Sequence, residues 1–440
     1  MSSEPGGGGG ADIETGPSGE PLAADSTAYA PSVAERLDVY QRAGGVITPV
    51  ITAVFAFFMG GLVVLATGHN PWKVYTGIFT GSGLNWFFHV GHYSITLPFS
   101  DTKVWFPWNT SIQSNAAYNL QQTLILTTTL ILTGLAVAFA FRCGLFNIGG
   151  QGQYLIGVIT GIWIGTSFPH LNRGVHILFA IGVAAACGAV WAAIAGFLKA
   201  TTGAHEVITT IMLNWIAYWI GSYLFGQGGP LQNSTSPSVP VSDPVVKSAQ
   251  LPVFWGNAAL QGLHIGFFVA LGALVAFWFI LNRTTLGYEV RAVGFNPEAA
   301  RYGGISVARN YVVAMAIAGA FAGLAGAMDM LGYQYRFGVL DVQTSQLGFI
   351  GIAVALLGRN KAVGVFFSAL LFAALLYGTS SRSIDQTVLK PELAGNLTWM
   401  IQALVLLFIG ADVLILYVWQ ARRKILPRRL KPAPPAAEAG

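Results

Sequence analysis

Long apolar runs recur along this chain from about residue 46 to residue 419, and they constrain its fold more than any other feature. Several exceed the roughly 18 apolar residues that indicate a membrane-spanning helix. Backbone N–H and C=O groups inside lipid must be satisfied within the protein, so runs of this length predict a helical bundle. We therefore predict an all-α polytopic membrane protein with about ten transmembrane helices.

The predicted spans are unequal in length. The eighth and ninth are short, and they either cross the bilayer fully or form re-entrant segments. The predicted spans cover about 46–66, 120–141, 154–168, 175–198, 206–225, 264–281, 311–330, 347–357, 365–377 and 393–419.

The composition excludes a soluble domain. Hydrophobic residues make up 54% of the chain, charged residues make up 9%, and the mean hydropathy is +0.59. The 23 Lys and Arg residues concentrate at the ends of the predicted spans. The net charge of +5 therefore reflects membrane topology and does not predict a nucleic-acid partner. Their bias between the two sides predicts that both termini are cytoplasmic.

Both ends of the chain differ in composition from the transmembrane domain predicted at 46–419. Residues 1–45 are rich in Gly, Ser, Pro and Ala, and they lack the apolar core of a signal peptide. They predict a disordered cytoplasmic tail and lead-in. Residues 420–440 are basic and then rich in Pro and Ala, which predicts a disordered C-terminal tail.

No motif in the chain predicts catalysis or metal binding. There is no phosphate-binding GxxxxGK[ST], no HExxH and no nucleophile elbow. The two cysteines, Cys143 and Cys187, lie in or beside apolar runs and are expected to pack as small residues. We expect no enzymatic activity, no metal ligands and no cofactor bound by this chain.

Residues 282–310 form a charged segment between two predicted spans. Asn296 is a favourable helix N-cap, Pro297 suits the first helical position, and Gly303 with Gly304 can end the helix. Two interpretations are open: an ordinary positive loop on the cytoplasmic face, or a helix that docks into a cytoplasmic partner. The candidate docking residues are Asn296, Pro297, Glu298, Ala299, Ala300, Arg301, Tyr302 and Gly303.

Two polar features interrupt the apolar runs. A glycine-rich break reads NIGGQGQ at 147–153, and polar residues recur every four positions along the fifth span. Such groups are tolerated at membrane depth where they line a cavity or are buried in protein. They either border a solute path or form hydrogen bonds between helices. The candidate path residues are Asn147, Gln151, Gln153, Glu206, Thr210 and Asn214.

Small residues in the seventh span predict close helix packing, because Gly319 and Gly323 form a GxxxG pattern. Two longer segments are predicted outside the membrane, at 67–115 and 226–263. The first is rich in aromatic residues, and it forms either an interfacial belt or a cap that a soluble partner contacts.

The span interiors are nearly free of charge. A proton- or sodium-coupled carrier usually buries acidic residues near the membrane midplane. Asp412 is the acidic residue that lies furthest inside a predicted span. We therefore expect the energy source in another protein, and a self-sufficient secondary carrier or channel is the alternative.

Three segments of the chain together resemble one family. They read GLFNIGGQGQ at 144–153, HEVITTIMLNWIA at 205–217 and RAVGFNPEAARYGGI at 291–305. They resemble the permease subunits of bacterial ABC importers in the branched-chain amino acid and simple sugar group, and within it the nucleoside permeases. The resemblance covers about residues 46–419.

The resemblance implies a bundle like that of the vitamin B12-type (type II) importers, in the bacterial cell membrane and in contact with its lipid. A second permease subunit, expected to be a different chain, would complete the pore. A cytoplasmic ABC ATPase would use ATP and Mg, and an external substrate-binding lipoprotein would deliver the solute.

By the same resemblance, the helix at 296–302 would be the coupling helix, with its alanines allowing close approach to the ATPase. The turn that carries Asn147, Gln151 and Gln153, and the polar ridge that begins at Glu206, would line or support the path of a neutral solute, either a nucleoside or a simple sugar.

Overall fold

The computed structural model describes residues 50, 53–86, 95–96, 103–104, 115–236, 238–257, 260–380 and 391–410. Several sequence predictions fall outside the described residues. They are the tails at 1–45 and 420–440, the start of the first span, most of the aromatic external segment, and the end of the tenth span with Asp412.

Helices dominate the described part of the chain. A π turn at Met330–Gln334 continues α10, and a 3₁₀ turn lies at Leu84–Trp86. The helices are α1 Ala53–Ala66, α2 Pro71–Gly81, α3 Asn115–Arg142, α4 Gly150–Ser167, α5 Arg173–Thr202, α6 Glu206–Phe225, α7 Gly266–Arg283, α8 Thr285–Phe295, α9 Pro297–Tyr302, α10 Val307–Asp329, α11 Val339–Thr344, α12 Leu347–Leu357, α13 Ala362–Gly378 and α14 Pro391–Gly410.

Two short antiparallel strand pairs accompany the helices within the described residues. Strand β1 (Ile95–Thr96) pairs with β2 (Lys103–Val104). Strand β3 (Val253–Trp255) pairs with β4 (Leu263–His264) in the segment between α6 and α7.

Six helical segments of the described chain are long and apolar enough to cross a membrane. They are α3, α5, α6, α7, α10 together with its π turn, and α11 together with α12. Helices α1 and α13 are apolar and shorter. The chain is thus an all-α, multi-pass membrane protein. The predicted fifth and eighth spans coincide with α6 and α12.

Helix α3 forms the core of the bundle. It contacts α7, α10, α12 and α13, and nearly all of its residues from Leu120 to Ala140 are buried. Thr127 and Thr133 donate their hydroxyl hydrogens to carbonyl oxygens four residues earlier, at 2.7 and 3.1 Å. These bonds satisfy the hydroxyls within the helix, which explains how polar residues are accommodated in its buried interior.

Glycines bring the backbones of α4, α5 and α10 into direct contact. A Cβ atom added at Gly319 would lie 2.1 Å from the Gly188 carbonyl oxygen, and one at Gly323 would lie 2.3 Å from that of Ala184. Gly157 in α4 faces Gly323 from the other side. The predicted GxxxG residues therefore lie at a helix crossing within this chain, where no side chain fits.

The C-terminal end of α3 is tied to the turn between α12 and α13. Arg142 donates from Nη2 and Nε to the carbonyl oxygen of Asn360, at 2.7 and 3.1 Å. Arg359 and Asn360 both have φ of 52°. Residues other than glycine seldom adopt this left-handed conformation, and the two bonds from Arg142 help to hold the turn in it.

The segment between α6 and α7 packs against the π turn. Three of its backbone N–H groups, between residues 242 and 251, donate to carbonyls of residues 331–337 at 2.8 to 2.9 Å. His264 is buried beside Gly266 and Gly332, and its Nδ1 accepts from the Gly266 N–H at 3.1 Å. Burial lowers the pKa of His264 to about 4, so the ring is neutral at physiological pH.

Candidate functional site

Four buried amide side chains lie around the start of α4 inside the bundle. Asn147, Gln151, Gln153 and Asn214, which we call the amide joint, are each less than a tenth exposed. They come from the break before α4, from the first turn of α4 and from the middle of α6. The sequence predicts them as candidate path residues, and the structure places them around the start of α4: Asn147 and Gln153 bond to each other, whereas the other two bond to backbone groups.

The first bonds of the amide joint close the break before α4. Asn147 Nδ2 donates to Gln153 Oε1, and Gln153 Nε2 donates to Asn147 Oδ1, both at 3.0 Å. The Gly149 N–H also donates to Asn147 Oδ1 at 3.0 Å. A Cβ atom at Gly149 would lie 2.9 Å from Gln153 Nε2, so the glycine makes room for the amide pair.

Asn214 joins α6 to the same break. Its Oδ1 accepts from the Gly152 N–H at 2.7 Å, and its Nδ2 donates to the Ile148 carbonyl oxygen at 2.9 Å. Both partners are backbone groups at the start of α4, which lack helical partners of their own. The side chain of Asn214, which belongs to α6, thus supplies the hydrogen-bond partners that these backbone groups lack.

Gln151 joins α4 to the turn between α11 and α12. Its Nε2 donates to the Ser345 carbonyl oxygen at 2.8 Å, and its Oε1 accepts from the Gly348 N–H at 2.9 Å. The backbones pack closely here, since a Cβ atom at Gly348 would lie 2.6 Å from the Gln151 nitrogen. One side chain therefore fixes both ends of the turn.

The amide joint uses most of its hydrogen-bonding capacity within the protein. Each amide both donates and accepts, and each partner belongs to this chain. In this arrangement the joint binds α4 to α6 and α12, and it offers few free groups to a solute. Its role along a solute path stays a prediction.

Glu206 and Thr210, the two other predicted path residues, lie nearer the start of α6. The Thr210 hydroxyl donates to the Glu206 carbonyl oxygen at 2.7 Å. The Glu206 carboxylate lies 2.8 Å from Lys199 Nζ, which links α5 to α6. The structure therefore pairs the charge of Glu206 with a lysine of the same chain and leaves it outside the amide joint.

A second buried polar cluster lies where α10 meets its π turn. Asp329 Oδ2 accepts from the Tyr154 hydroxyl at 2.5 Å and from Gln334 Nε2 at 2.7 Å. Sequence spacing does not predict this cluster, because Tyr154 and Asp329 are 175 residues apart.

The charged segment 282–310 contains two helices joined at one residue. Asn296 ends α8 and begins α9, and its Oδ1 accepts from the N–H groups of Glu298 and Ala299 at 3.0 and 3.1 Å. Gly304, with φ of 81°, follows α9. The sequence predicts the short capped helix, whereas α8 is a further helix that it does not predict.

The two helices turn large aromatic side chains outward. Phe295 is 93% exposed and Tyr302 is 94% exposed. Glu298 and Arg301 are exposed beside them, and we call these four residues the docking face. Ala300 is only 5% exposed and packs within the chain, whereas Ala299 is exposed, so the close approach to a partner expected of these alanines stays a prediction.

Comparison with known proteins decides the family. A family profile described as "Branched-chain amino acid transport system / permease component" matches residues 119–410. The chain belongs to this permease family. The three resembling segments predict it correctly, since all of them lie within the matched range.

Three relatives show how far the similarity of this permease extends. The guanosine ABC transporter permease protein NupP of Bacillus subtilis is 35% identical over 386 residues, which cover 87% of the chain and 98% of NupP. The glucose ABC transporter permease protein TsgB13 of Haloferax volcanii is 33% identical, over 82% of the chain and 86% of TsgB13. The guanosine ABC transporter permease protein NupQ of Bacillus subtilis is 26% identical, over 57% and 78%. No solved structure matches the permease.

Proposed function

We propose that the chain is the permease subunit of an ATP-binding-cassette importer that moves nucleosides into the cell. The observation that carries this proposal is the 35% identity to a guanosine permease over 98% of that protein's length. A bundle with few buried charges suits a neutral solute and an energy source in another chain. A simple sugar is the second candidate, because a glucose permease is 33% identical over 86% of its length.

The proposal includes the rest of the importer. The match to both NupP and NupQ of one organism supports a pore completed by a second, different permease chain. A cytoplasmic ATPase would consume ATP and Mg, and an external lipoprotein would deliver the nucleoside. The chain would cross the bacterial cell membrane about ten times in a vitamin B12-type bundle, with both termini in the cytoplasm.

The docking face is the surface we assign to the ATPase. Exposed aromatic side chains flanked by one acidic and one basic residue are typical of the centre and rim of a protein interface. The face stands on two short helices that carry buried residues on their other side, including Val290, Val293 and Ala300. This anchoring lets a movement of the ATPase reach the bundle.

Uptake by cells tests the proposed function. Cells that lack the gene are expected to lose uptake of tritiated guanosine and to recover it when the gene is restored. Unlabelled guanosine in excess should abolish the signal, whereas glucose in excess should leave it unchanged. Competition by glucose, or uptake that persists in cells lacking the ATPase, would contradict the nucleoside importer.

Truncation of the docking face tests its role. The double variant Phe295→Ala with Tyr302→Ala should remain in the membrane at normal abundance, while the amount of ATPase that co-purifies falls at least tenfold. An aromatic side chain that becomes buried at the centre of an interface contributes about 2 kcal/mol or more to binding. Tyr223→Ala is the matched control, because Tyr223 is 71% exposed near the opposite end of a predicted span. Equal co-purification for both variants would refute the assignment.

A further inference from the structure

A pocket with a volume of 280 Å³, lined in equal number by polar and apolar residues, lies where the regular helices break. Its border runs from the end of the π turn through α11 to the first turn of α12, with residues of α13 and α14 opposite. The lining includes Gln334, Asp341, Thr344, Gln346 and Trp399. We call this cavity the polar pocket.

The backbone around the polar pocket is irregular. The π turn ends at Tyr335 with φ of 57°, α11 has only six residues, and the chain breaks again before α12. Non-helical backbone at membrane depth is tolerated where it lines a cavity or is buried in protein. Helix α12 has 11 residues and is about 16 Å long, roughly half of a 30 Å hydrocarbon core. Measured along α12 from the Arg142–Asn360 contact, the pocket therefore lies near the middle of the hydrocarbon core.

The polar pocket has the chemistry of a site for a neutral, hydroxyl-rich solute. Asp341 is the charged residue among the described side chains that line it, and neither Lys nor Arg contributes. A carboxylate accepts hydrogen bonds from hydroxyl groups and repels phosphates and other carboxylates. This lining disfavours a nucleotide, which carries phosphate charge, and suits a nucleoside.

The polar pocket differs from the amide joint because some of its side-chain oxygen and nitrogen atoms have no hydrogen-bond partner among the described residues. Asp341 Oδ2 accepts from the Gly338 N–H at 2.8 Å, and its Oδ1 has no hydrogen-bond partner among the described residues. The Gln346 amide likewise has none in that part of the chain. Trp399 is 46% exposed, so part of its indole ring is open to contact.

Buried polar groups hold the pocket wall in place. Gln151 of the amide joint bonds to the backbone of Ser345 and Gly348, on the far side of the turn that carries Gln346. Asp329 Oδ2 accepts a hydrogen bond from Gln334 Nε2 at 2.7 Å, which fixes the position of the Gln334 side chain. The predicted path residue Gln151 thus supports the wall from behind.

We propose that the polar pocket is a transit site for a nucleoside, and this proposal rests on the proposed function. Asp341 and Gln346 bind the ribose hydroxyls, and the base stacks on Trp399. Stacking on an aromatic side chain accommodates any base, and hydrogen bonds to the ribose distinguish nucleosides from free bases.

Binding of guanosine to the purified full chain in detergent tests the site, with 2′,3′-dideoxyguanosine as the second probe. Asp341→Asn keeps the oxygen that accepts from Gly338 and removes the charge. It should raise the dissociation constant for guanosine about tenfold and change that for the dideoxy compound less than twofold. Trp399→Ala should weaken both probes by about tenfold, and Trp399→Phe should restore most of the loss.

A matched pair of glutamines separates binding from structure. Gln346→Leu should weaken guanosine binding, whereas Gln343→Leu, an exposed position in α11 outside the pocket lining, should leave it unchanged. Equal effects of the two variants, equal weakening of both probes by Asp341→Asn, or no binding to the wild-type chain at millimolar guanosine would overturn the site. Failure of guanosine uptake in cells is a different result, which overturns the proposed function and the nucleoside assignment with it.

Discussion

Gly323→Ala perturbs one of the backbone-to-backbone helix contacts described above. The added Cβ atom would lie 2.3 Å from the carbonyl oxygen of Ala184 and 3.1 Å from its carbonyl carbon. Both are backbone atoms, so no change of side-chain rotamer relieves the overlap. Because carbon–oxygen contacts seldom fall below about 3.3 Å, α5 and α10 must separate by roughly 1 Å.

The size of the effect follows from two opposing contributions. An alanine in place of a helical glycine gains about 0.5–1 kcal/mol. Overpacking of a tight contact costs about 1–3 kcal/mol, and here the cost should reach the upper part of that range because both partners are backbone. We therefore expect a net loss of about 2 kcal/mol.

Gly182→Ala is the matched control on the same pair of helices. Gly182 lies in α5, and a Cβ atom there would have no atom within 4 Å. This variant should keep the gain of about 0.5–1 kcal/mol without any overlap. The two substitutions are chemically identical, and their expected effects have opposite signs.

Thermal unfolding of the purified protein in detergent measures both variants. Gly323→Ala should unfold at a lower temperature than the wild-type chain, and Gly182→Ala should unfold at an equal or higher temperature. A midpoint for Gly323→Ala at or above the wild-type value would refute the packing argument, since the helices would then have room for the methyl group.

Two further predictions concern buried polar groups. Gln151→Leu leaves the Ser345 carbonyl and the Gly348 N–H without partners, at about 1–3 kcal/mol each, and should lower both the unfolding temperature and guanosine uptake; wild-type values for both would contradict the bridging role. His264 has a folded pKa of about 4 against 6.5 in the unfolded chain, so the unfolded state binds more protons below pH 6.5 and stability falls as the pH drops. The loss at pH 5 is about 2 kcal/mol, and unfolding midpoints at pH 8 and pH 5 should differ less in His264→Gln than in the wild-type chain.

Local patterns predicted those elements whose causes are local. The limits of α6 and α12 follow from apolar runs bounded by polar residues and glycine, and the structure has the same limits. The cap of α9 follows from Asn296 and Pro297 alone. In each case the side chain and the backbone group that it satisfies lie within a few residues.

The features that the sequence does not predict depend on residues far away in the chain. The bonds of Gln151 connect residues 194 and 197 positions apart, so the sequence identifies a polar residue without revealing whether a solute or a backbone group meets it. The inward direction of Ala300 likewise depends on how the neighbouring helices pack.

Helix α8 shows why propensity alone is insufficient. Gly287 lowers the helix propensity of this charged segment, which disfavours a helix there. In the structure a Cβ atom at Gly287 would lie 2.6 Å from the Leu281 Cα atom. The same glycine therefore lets α8 fold back against α7, and packing outweighs propensity.

The corner at Asn296 sets a constraint on engineering. One residue separates α8 from α9, so the rotational phase of the second helix is fixed by the first. Inserting one residue within α8 would rotate the corner and α9 by about 100° about the axis of α8, because an α-helix has 3.6 residues per turn. Ala300, which is 5% exposed, would then leave its place against the rest of the chain. In a chimera that exchanges this segment with that of another permease, keeping the segment's length is therefore more important than keeping its charge, because the length sets which face of α9 packs inward.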